Sequence, residues 1–132
     1  KYAARTRRHE WAEPLLELVE PLLTDPHPYV RRNLGPFVIG DQLLRSYPAQ
    51  TLARLYRWAE RPDAVTRWNV AMVFTSAEGR RHREAGMRIL EILASDTRSP
   101  VARAVAAARR RLGEEGQAPR DLRGNGPGPP PG

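Results

Sequence analysis

The chain has 132 residues and no cysteine, so it can form one domain with a modest core but neither a disulfide framework nor a thiolate zinc site. Its formal net charge of +7 favours polyanionic partners such as nucleic acid. The longest purely apolar run, 70–74, is far shorter than the ~20 residues that cross a bilayer, and the basic N-terminal residues precede no signal-peptide core. We therefore expect a cytoplasmic protein without a membrane partner.

The first half of the chain predicts two helices. Leucine and valine at helical spacing predict the first over 12–24, and Pro21 should bend its last turn because proline lacks an N–H. The Asp-Pro-His-Pro sequence of 25–28 then ends this helix. A second helix is expected over 28–46, kinked or in two segments, because two glycines and a proline interrupt it. Its expected inward side chains are those of Val30, Leu34, Phe37, Val38 and Leu44.

Four more helices are predicted over 48–60, 63–77, 81–95 and 99–112. The helix of 63–77 is apolar nearly all round, and such a helix is normally covered on several sides. The remaining residues, 114–132, lack helical periodicity and are rich in proline and glycine, so we expect a disordered tail.

A sequence pattern recurs along these helices at a fixed spacing. Arg31, Arg67 and Arg103 lie 36 positions apart, and so do Asn33 and Asn69. A fixed period of this size is typical of stacked supersecondary units. We therefore predict an all-α, right-handed α-solenoid of about three helix pairs. The units are expected at about 12–46, 48–78 and 81–113, after a basic N-terminal segment, 1–11.

The residues that open the second helix resemble a known repeat. An apolar helix followed by Asp25, four residues and Val30-Arg31 resembles the HEAT repeat, which has an armadillo-type fold. More narrowly, Pro-Tyr-Val-Arg-Arg-Asn-Leu (28–34), Tyr-Pro (47–48) and Leu-x-x-Leu-x-x-Trp-Ala (52–59) resemble the HEAT-like-repeat DNA-alkylation-repair glycosylases of bacteria. This resemblance implies a curved stack whose concave surface holds duplex DNA. No motif here matches the aspartate of those enzymes, so we assign no catalytic residue.

The arginines of the repeat, Arg31, Arg67 and Arg103, have two interpretations. They could line the concave face and bind successive phosphates of nucleic acid. Alternatively, each could pair with an aspartate and join one unit to the next, which is usual in HEAT proteins and is the interpretation we favour. The candidate aspartates are Asp25, Asp63 and Asp96.

The repeated asparagines and the tryptophans are expected to be structural. Asn33 and Asn69 should satisfy backbone groups between helices, although contact with a ligand is the alternative. Trp58 and Trp68 lie in apolar helical stripes and should be buried, with stacking on bases as the alternative. Trp11 should cover an exposed end.

Cationic residues gather at one predicted edge of the stack. The second helix of each pair ends there and the first helix of the next begins there, so this edge should carry a basic rim that binds polyanions. The opposite edge should be weakly acidic, with Asp25, Glu60, Asp63 and Asp96 diluted by Arg61 and Arg98. The basic rim consists of Arg5, Arg7, Arg8, Arg45, Arg80, Arg81, His82, Arg83, Arg109, Arg110 and Arg111.

No enzyme signature emerges. The three histidines, His9, His27 and His82, have no metal-ligand spacing, and neither a Gly-rich phosphate loop nor a nucleophile elbow occurs, so we expect no metal and no cofactor. The leading hypothesis is a non-catalytic module that binds the backbone of duplex DNA. The alternatives are a protein–protein scaffold with a peptide in its concave groove, and a fragment of an alkyl-base DNA glycosylase.

Overall fold

The computed structural model describes the backbone of residues 9–116 and the side chains of 9–113. Within this range all regular structure is helical and no strand occurs, as predicted. Two 3₁₀ turns, His9–Trp11 and Glu20–Thr24, flank the first helix, and a π-helical segment, Leu34–Leu44, follows the second. The α-helices are α1 (Ala12–Val19), α2 (Pro28–Asn33), α3 (Pro48–Ala59), α4 (Ala64–Val73), α5 (Ala77–Arg81), α6 (Arg83–Leu93) and α7 (Ser99–Gly116).

The first predicted helix is present, and its last turn changes pitch where proline requires it. Leu16 and Leu23 are fully buried on its inner face. Pro21 cannot donate the hydrogen bond that would continue α1, and the tighter 3₁₀ turn Glu20–Thr24 replaces the last α-turn. Proline therefore changes the pitch of the last turn.

The second predicted helix consists of two segments of different pitch. His27 begins α2, since its Nδ1 accepts a hydrogen bond from the Tyr29 N–H at 3.1 Å. The chain then widens into the π-helical segment, where Gly40 lies so close to α5 that a Cβ atom there would stand 2.5 Å from Ser76 Oγ. This agrees with the predicted division into two segments.

The expectation that Phe37 points inward is wrong, because its side chain is 51% exposed. The π-helix bonds each residue to the fifth rather than the fourth neighbour, so side chains in it advance less per residue than an α-helical projection assumes. Leu34 and Leu44 are buried as expected, and Ile39, which was not expected to point inward, is fully buried.

The helices form two layers. In one layer α3 contacts both α1 and α6, and in the other α4 contacts both the π-helical segment and α7. Helix α4 also contacts α3 and α6 across the layers, so it is covered on several sides, as its apolar sequence predicts. Val70, Val73 and Phe74, at the end of this helix, are fully buried.

Several helix boundaries in the second half of the chain differ from the prediction. Helix α4 ends at Val73, and a new helix starts after Ser76, whose Oγ accepts the Gly79 N–H at 2.9 Å. The helix expected over 81–95 is thus preceded by the short α5 and begins after a break at His82. Helix α7 continues beyond Gly113 to Gly116. The rest of the expected tail, 117–132, and residues 1–8 lie outside the described part of the chain.

Candidate nucleic-acid interface

Three basic side chains surround one carboxylate at the junction of the π-helical segment and α5. Asp41 Oδ1 accepts the Glu78 N–H at 3.0 Å and so joins the two elements. Arg45 Nε and Arg81 Nε lie 3.7 Å and 3.8 Å from Glu78 Oε1, and His82 Nε2 lies 3.2 Å from Oε2. The Glu78 side chain is only 12% exposed, whereas those of Arg45 and Arg81 are 71% and 75% exposed. Most of each of these two guanidinium groups therefore faces solvent. We call Glu78, Arg45, Arg81 and His82 the Glu78 cluster.

Two further rim arginines bind backbone carbonyls. Arg80 Nη1 donates to the Thr75 carbonyl at 3.1 Å. Arg83 Nε donates to the Leu112 carbonyl at 3.3 Å, so the beginning of α6 lies against the C-terminal part of α7. Cations near the C-terminus of a helix interact favourably with its dipole, which accounts for the position of Arg83.

The rim arginines of α7 are exposed. Arg109 Nη2 lies 3.6 Å from Glu91 Oε1 on α6. Arg110 lines a groove of about 530 Å³ that also includes Asp96 and Ala102 near the start of α7. These two side chains therefore lie beside Glu91 and the groove near Asp96, and within the described part of the chain no contact joins them to Glu78. The rim residues Arg5, Arg7 and Arg8 lie outside the described residues.

The predicted pairing of a repeat arginine with an aspartate is confirmed for Arg67. Its Nε lies 3.0 Å from Asp96 Oδ2, and its side chain is 13% exposed. Its Nη1 also donates to the Arg61 carbonyl at 3.0 Å. Arg67 thus joins the turn before α4 to the turn before α7, and its charged group is occupied by protein atoms.

The other two repeat arginines, Arg31 and Arg103, are exposed. The Arg31 guanidinium carbon lies 5.9 Å from the centroid of the Trp68 ring, a distance typical of a cation–π contact. Arg103 Nη1 donates to Ser99 Oγ at 2.7 Å, one turn earlier in α7. The arginines of one repeat position therefore have three different environments.

Asp96 anchors the opposite edge. Arg98 donates to it from Nε at 2.9 Å and from Nη2 at 2.7 Å, and the same Nη2 donates to the Pro62 carbonyl at 2.8 Å. The hydrogen bonds from Arg98 lower the pKa of the Asp96 carboxyl to about 2, although burial acts in the opposite direction. On this edge, acidic and basic side chains are closely paired.

Asp63, on the same edge, caps helix α4. Its Oδ2 accepts the Thr66 N–H at 3.0 Å. Burial raises the pKa of this carboxyl, but the hydrogen bonds from Thr66 and the charge of Arg61 outweigh burial and lower it. The role of Asp63 is therefore to begin a helix.

The asparagines and tryptophans largely follow the structural interpretation. Asn69 is buried and its Nδ2 donates to the Leu23 carbonyl at 2.8 Å, which joins α4 to the first helix pair. Asn33 Nδ2 donates to the Tyr29 carbonyl at 2.8 Å within α2. Trp58 is buried as expected, Trp68 is partly buried against the core, and Trp11 is 52% exposed.

An ionic cluster between α1 and α3 was not predicted. The guanidinium of Arg54 lies 2.6 Å, 3.0 Å and 3.2 Å from carboxylate oxygens of Glu13, Glu17 and Glu20, and Arg61 also binds Glu20. The Arg54 side chain is only 7% exposed. The three glutamates recur at helical spacing along α1 and the turn after it, which was an available signal, but their partner is on another helix. The cluster lines a groove of about 700 Å³ together with Arg57 and Trp58.

The described residues include neither a membrane-spanning helix nor a metal site. No helix between residues 9 and 116 is long and apolar enough to cross a membrane. Among the described residues, no group of three or more histidine, aspartate or glutamate side chains could hold a metal ion. Compared with models of protein families, with curated proteins and with solved structures, the chain matches none of them. The resemblance to HEAT repeats therefore rests on the residues themselves.

Proposed function

We propose that this chain is a HEAT-like α-solenoid and a non-catalytic module that binds the backbone of nucleic acid, with duplex DNA as the favoured ligand. The observation that carries the proposal is the Glu78 cluster, where Arg45, Arg81 and His82 share one mostly buried carboxylate. The arginines of this part of the rim outnumber its carboxylates, so its net charge is positive: they are Arg45, Arg80, Arg81 and Arg83, against Asp41, Glu78 and Glu84. Exposed guanidinium groups of this kind bind phosphates with bidentate geometry.

The contrast with the opposite edge supports this assignment. There Arg67 and Arg98 both bind Asp96, whose side chain is 5% exposed. In the first layer Arg54 binds three glutamates. Cations that are already paired gain little from a phosphate, because the phosphate must replace a carboxylate. In the basic rim, by contrast, Arg45 and Arg81 lie 3.7 Å and 3.8 Å from Glu78 and are 71% and 75% exposed, so this surface gains most from a polyanion.

The test measures how DNA affinity depends on salt when rim charges are removed. The rim variant carries Arg45→Gln, Arg81→Gln and Arg83→Gln, and the control variant carries Arg32→Gln, Arg57→Gln and Arg88→Gln, all exposed arginines away from the rim. Both variants lose the same charge. Binding to a fluorescent duplex is followed by anisotropy from about 50 to 200 mM salt, since each phosphate contact contributes roughly −0.9 to the slope of log K against log salt.

We expect the slope for the rim variant to become shallower by about 3 units and its affinity at low salt to fall by at least about tenfold. The control variant should keep the slope of the unmodified chain. Equal losses in both variants would show that net charge alone drives binding and would remove the rim from the proposal. If the unmodified chain binds no duplex at low salt, the proposed function is wrong, and salt-tolerant peptide binding would favour a scaffold.

A further inference from the structure

Large apolar side chains are exposed mainly in the first helix pair. Trp11, Leu18, Tyr29 and Phe37 are 52%, 72%, 64% and 51% exposed, and all belong to the segment 9–44. Among the described residues outside this segment, the most exposed large apolar side chain is that of Met87, at 36%. Exposed apolar side chains that concentrate in one region indicate a surface that normally contacts another structure.

Part of this surface is a continuous groove. It lies between α1 and the π-helical segment and has a volume of about 450 Å³. Its walls are mainly apolar, with Gln42 and Ser46 as the polar exceptions. We call this surface the apolar end face and define it by Trp11, Leu15, Leu18, Leu22 and Val38.

The 36-residue period indicates what covers this face. Adding 36 to the numbers of Trp11, Leu18 and Leu22 gives residues of the second helix pair that are nearly fully buried. These are Tyr47, Arg54 and Trp58, which are 4%, 6% and 1% exposed. Arg54 is covered by α1, since the glutamates that bind it all belong to α1 and the turn after it.

The third helix pair repeats the relation at one of the three positions, since those equivalent to Trp11 and Leu22 are Arg83 and Ala94, which are exposed. The residue 72 positions after Leu18 is Leu90, which lies on α6 and is fully buried. Helix α6 contacts α3 of the preceding pair, and Arg88 Nε donates to Tyr56 Oη between these helices at 3.2 Å. Each inner position equivalent to Leu18 is therefore buried, and the preceding helix pair lies beside it.

The other end of the stack is different. The exposed face of α7 carries small and charged residues, Ala102, Arg103, Ala106, Arg109 and Arg110. A polar outer face is what terminal repeats of stacked proteins require for solubility. Among the described residues, the α7 end thus offers no apolar surface that would match the apolar end face of a second copy in a head-to-tail contact.

We infer that the apolar end face is the docking site of one further helix pair of the same 36-residue type, connected on the N-terminal side of Ala12. That pair would lie on α1 and the π-helical segment as α3 and α4 lie on α6 and α7. Its outward side chains on the contact side would be aliphatic or aromatic, like Leu52 and Tyr56 of α3. This inference does not depend on nucleic-acid binding.

The experiment supplies such a pair from the chain itself. A second copy of residues 48–83, 36 residues long, is inserted between Trp11 and Ala12, which keeps the period. Leu18→Ala is then introduced into the original and the extended chain, and both are unfolded with urea. In the original chain Leu18 is 72% exposed, and its loss should change the unfolding equilibrium constant by less than about threefold. In the extended chain the change should be at least about 30-fold, as for other buried leucines.

Leu90→Ala is the matched control, because this equivalent residue is buried in both chains and should show the large change in both. An equally small effect of Leu18→Ala in the two chains overturns the inference. So does an extended chain that does not unfold cooperatively. Sedimentation provides the last outcome: if the original chain is a dimer that Leu18→Arg dissociates, a second copy occupies the face and the inference is wrong.

Discussion

At the scale of single residues, the surroundings of a cation decide its role. Arg67 is 13% exposed and lies 3.0 Å from an aspartate that is itself 5% exposed, so its charge is used within the fold. Arg45 is 71% exposed and lies 3.7 Å from a glutamate that it shares with Arg81 and His82. An exposed and shared contact of this kind contributes little to stability. Arg45 therefore remains available to a ligand, whereas Arg67 does not.

Asp96 should make the stability of the protein depend on pH. The bonds from Arg98 hold the pKa of its carboxyl at about 2, below the ordinary value of 3.8. A carboxyl with a lowered pKa binds fewer protons in the folded state, so its stabilising effect is complete above about pH 4 and is lost as the pH falls towards 2. Asp96→Asn should thus lower the urea midpoint at about pH 7 and have a much smaller effect near pH 2.

Glu60→Gln, which changes an exposed carboxylate on the same edge, is the control for this measurement. It should leave the urea midpoint nearly unchanged at both pH values. A constant effect of Asp96→Asn between about pH 7 and pH 2 would mean that the carboxylate charge is not the stabilising feature.

The buried Arg54 explains why one part of the structure could not be read from the sequence. Its position within α3 is equivalent to that of Leu18 in α1, but its charge suggests a solvent-facing side chain. Arg54 is buried because three carboxylates from a helix more than thirty positions earlier neutralise it. Pairing between distant segments is a tertiary property, and no local pattern contains it.

At the scale of the helices, the periodicity of apolar residues predicted most helices but missed α5 and the pitch of the π-helical segment. Apolar spacing located α1, α3 and α7 within a few residues of their observed limits. It did not predict α5, because Ser76 starts a new helix inside a stretch that still looks helical. It also misplaced Phe37, because an α-helical projection does not apply to the π-helical segment.

Gly79 allows α5 to approach the end of α4. A Cβ atom at this position would lie 2.2 Å from the Val73 carbonyl oxygen and 2.8 Å from Phe74 Cα, so the backbone would have to move. Gly79→Ala should therefore destabilise the protein by about 1–3 kcal/mol, the range for overpacking. The measurement is the melting temperature followed by circular dichroism.

Gly113→Ala is the opposite case in the same experiment. This glycine lies inside α7, and a Cβ atom there would meet nothing within 4 Å. Alanine should stabilise the helix by about 0.5–1 kcal/mol, because glycine loses more backbone entropy on folding. If Gly79→Ala leaves the melting temperature unchanged or raises it, the close approach at Gly79 does not limit the packing.

At the scale of the whole molecule, the two layers leave one helix at the centre and one face uncovered. The sequence predicted the central helix, because α4 is apolar nearly all round. For the uncovered face it gave only the expectation that Trp11 covers an exposed end. The extent of the uncovered face was not predicted, because Phe37 and Leu18 lie in apolar stripes that look the same whether they are covered or not. Only the tertiary arrangement shows whether such a side chain is covered by another helix.

The two phenylalanines of the chain test this distinction directly. Phe74 is fully buried, and its ring lies so close to Gly86 that a Cβ atom there would be 2.8 Å from it. Phe74→Ala should cost about 3–5 kcal/mol, because it removes a large buried side chain and leaves a cavity. Phe37→Ala removes the same atoms from a side chain that is 51% exposed, and it should cost less than about 1 kcal/mol.

Urea unfolding measures both costs, and hydrogen exchange locates them. If α4 is the centre of one cooperative structure, its amides should exchange only through global unfolding, and Phe74→Ala should accelerate exchange along the whole of α4 and α7. Phe37→Ala should leave these amides unchanged. Faster exchange confined to the residues around position 74 would mean that the two layers unfold separately, which the contacts of α4 with helices of both layers argue against.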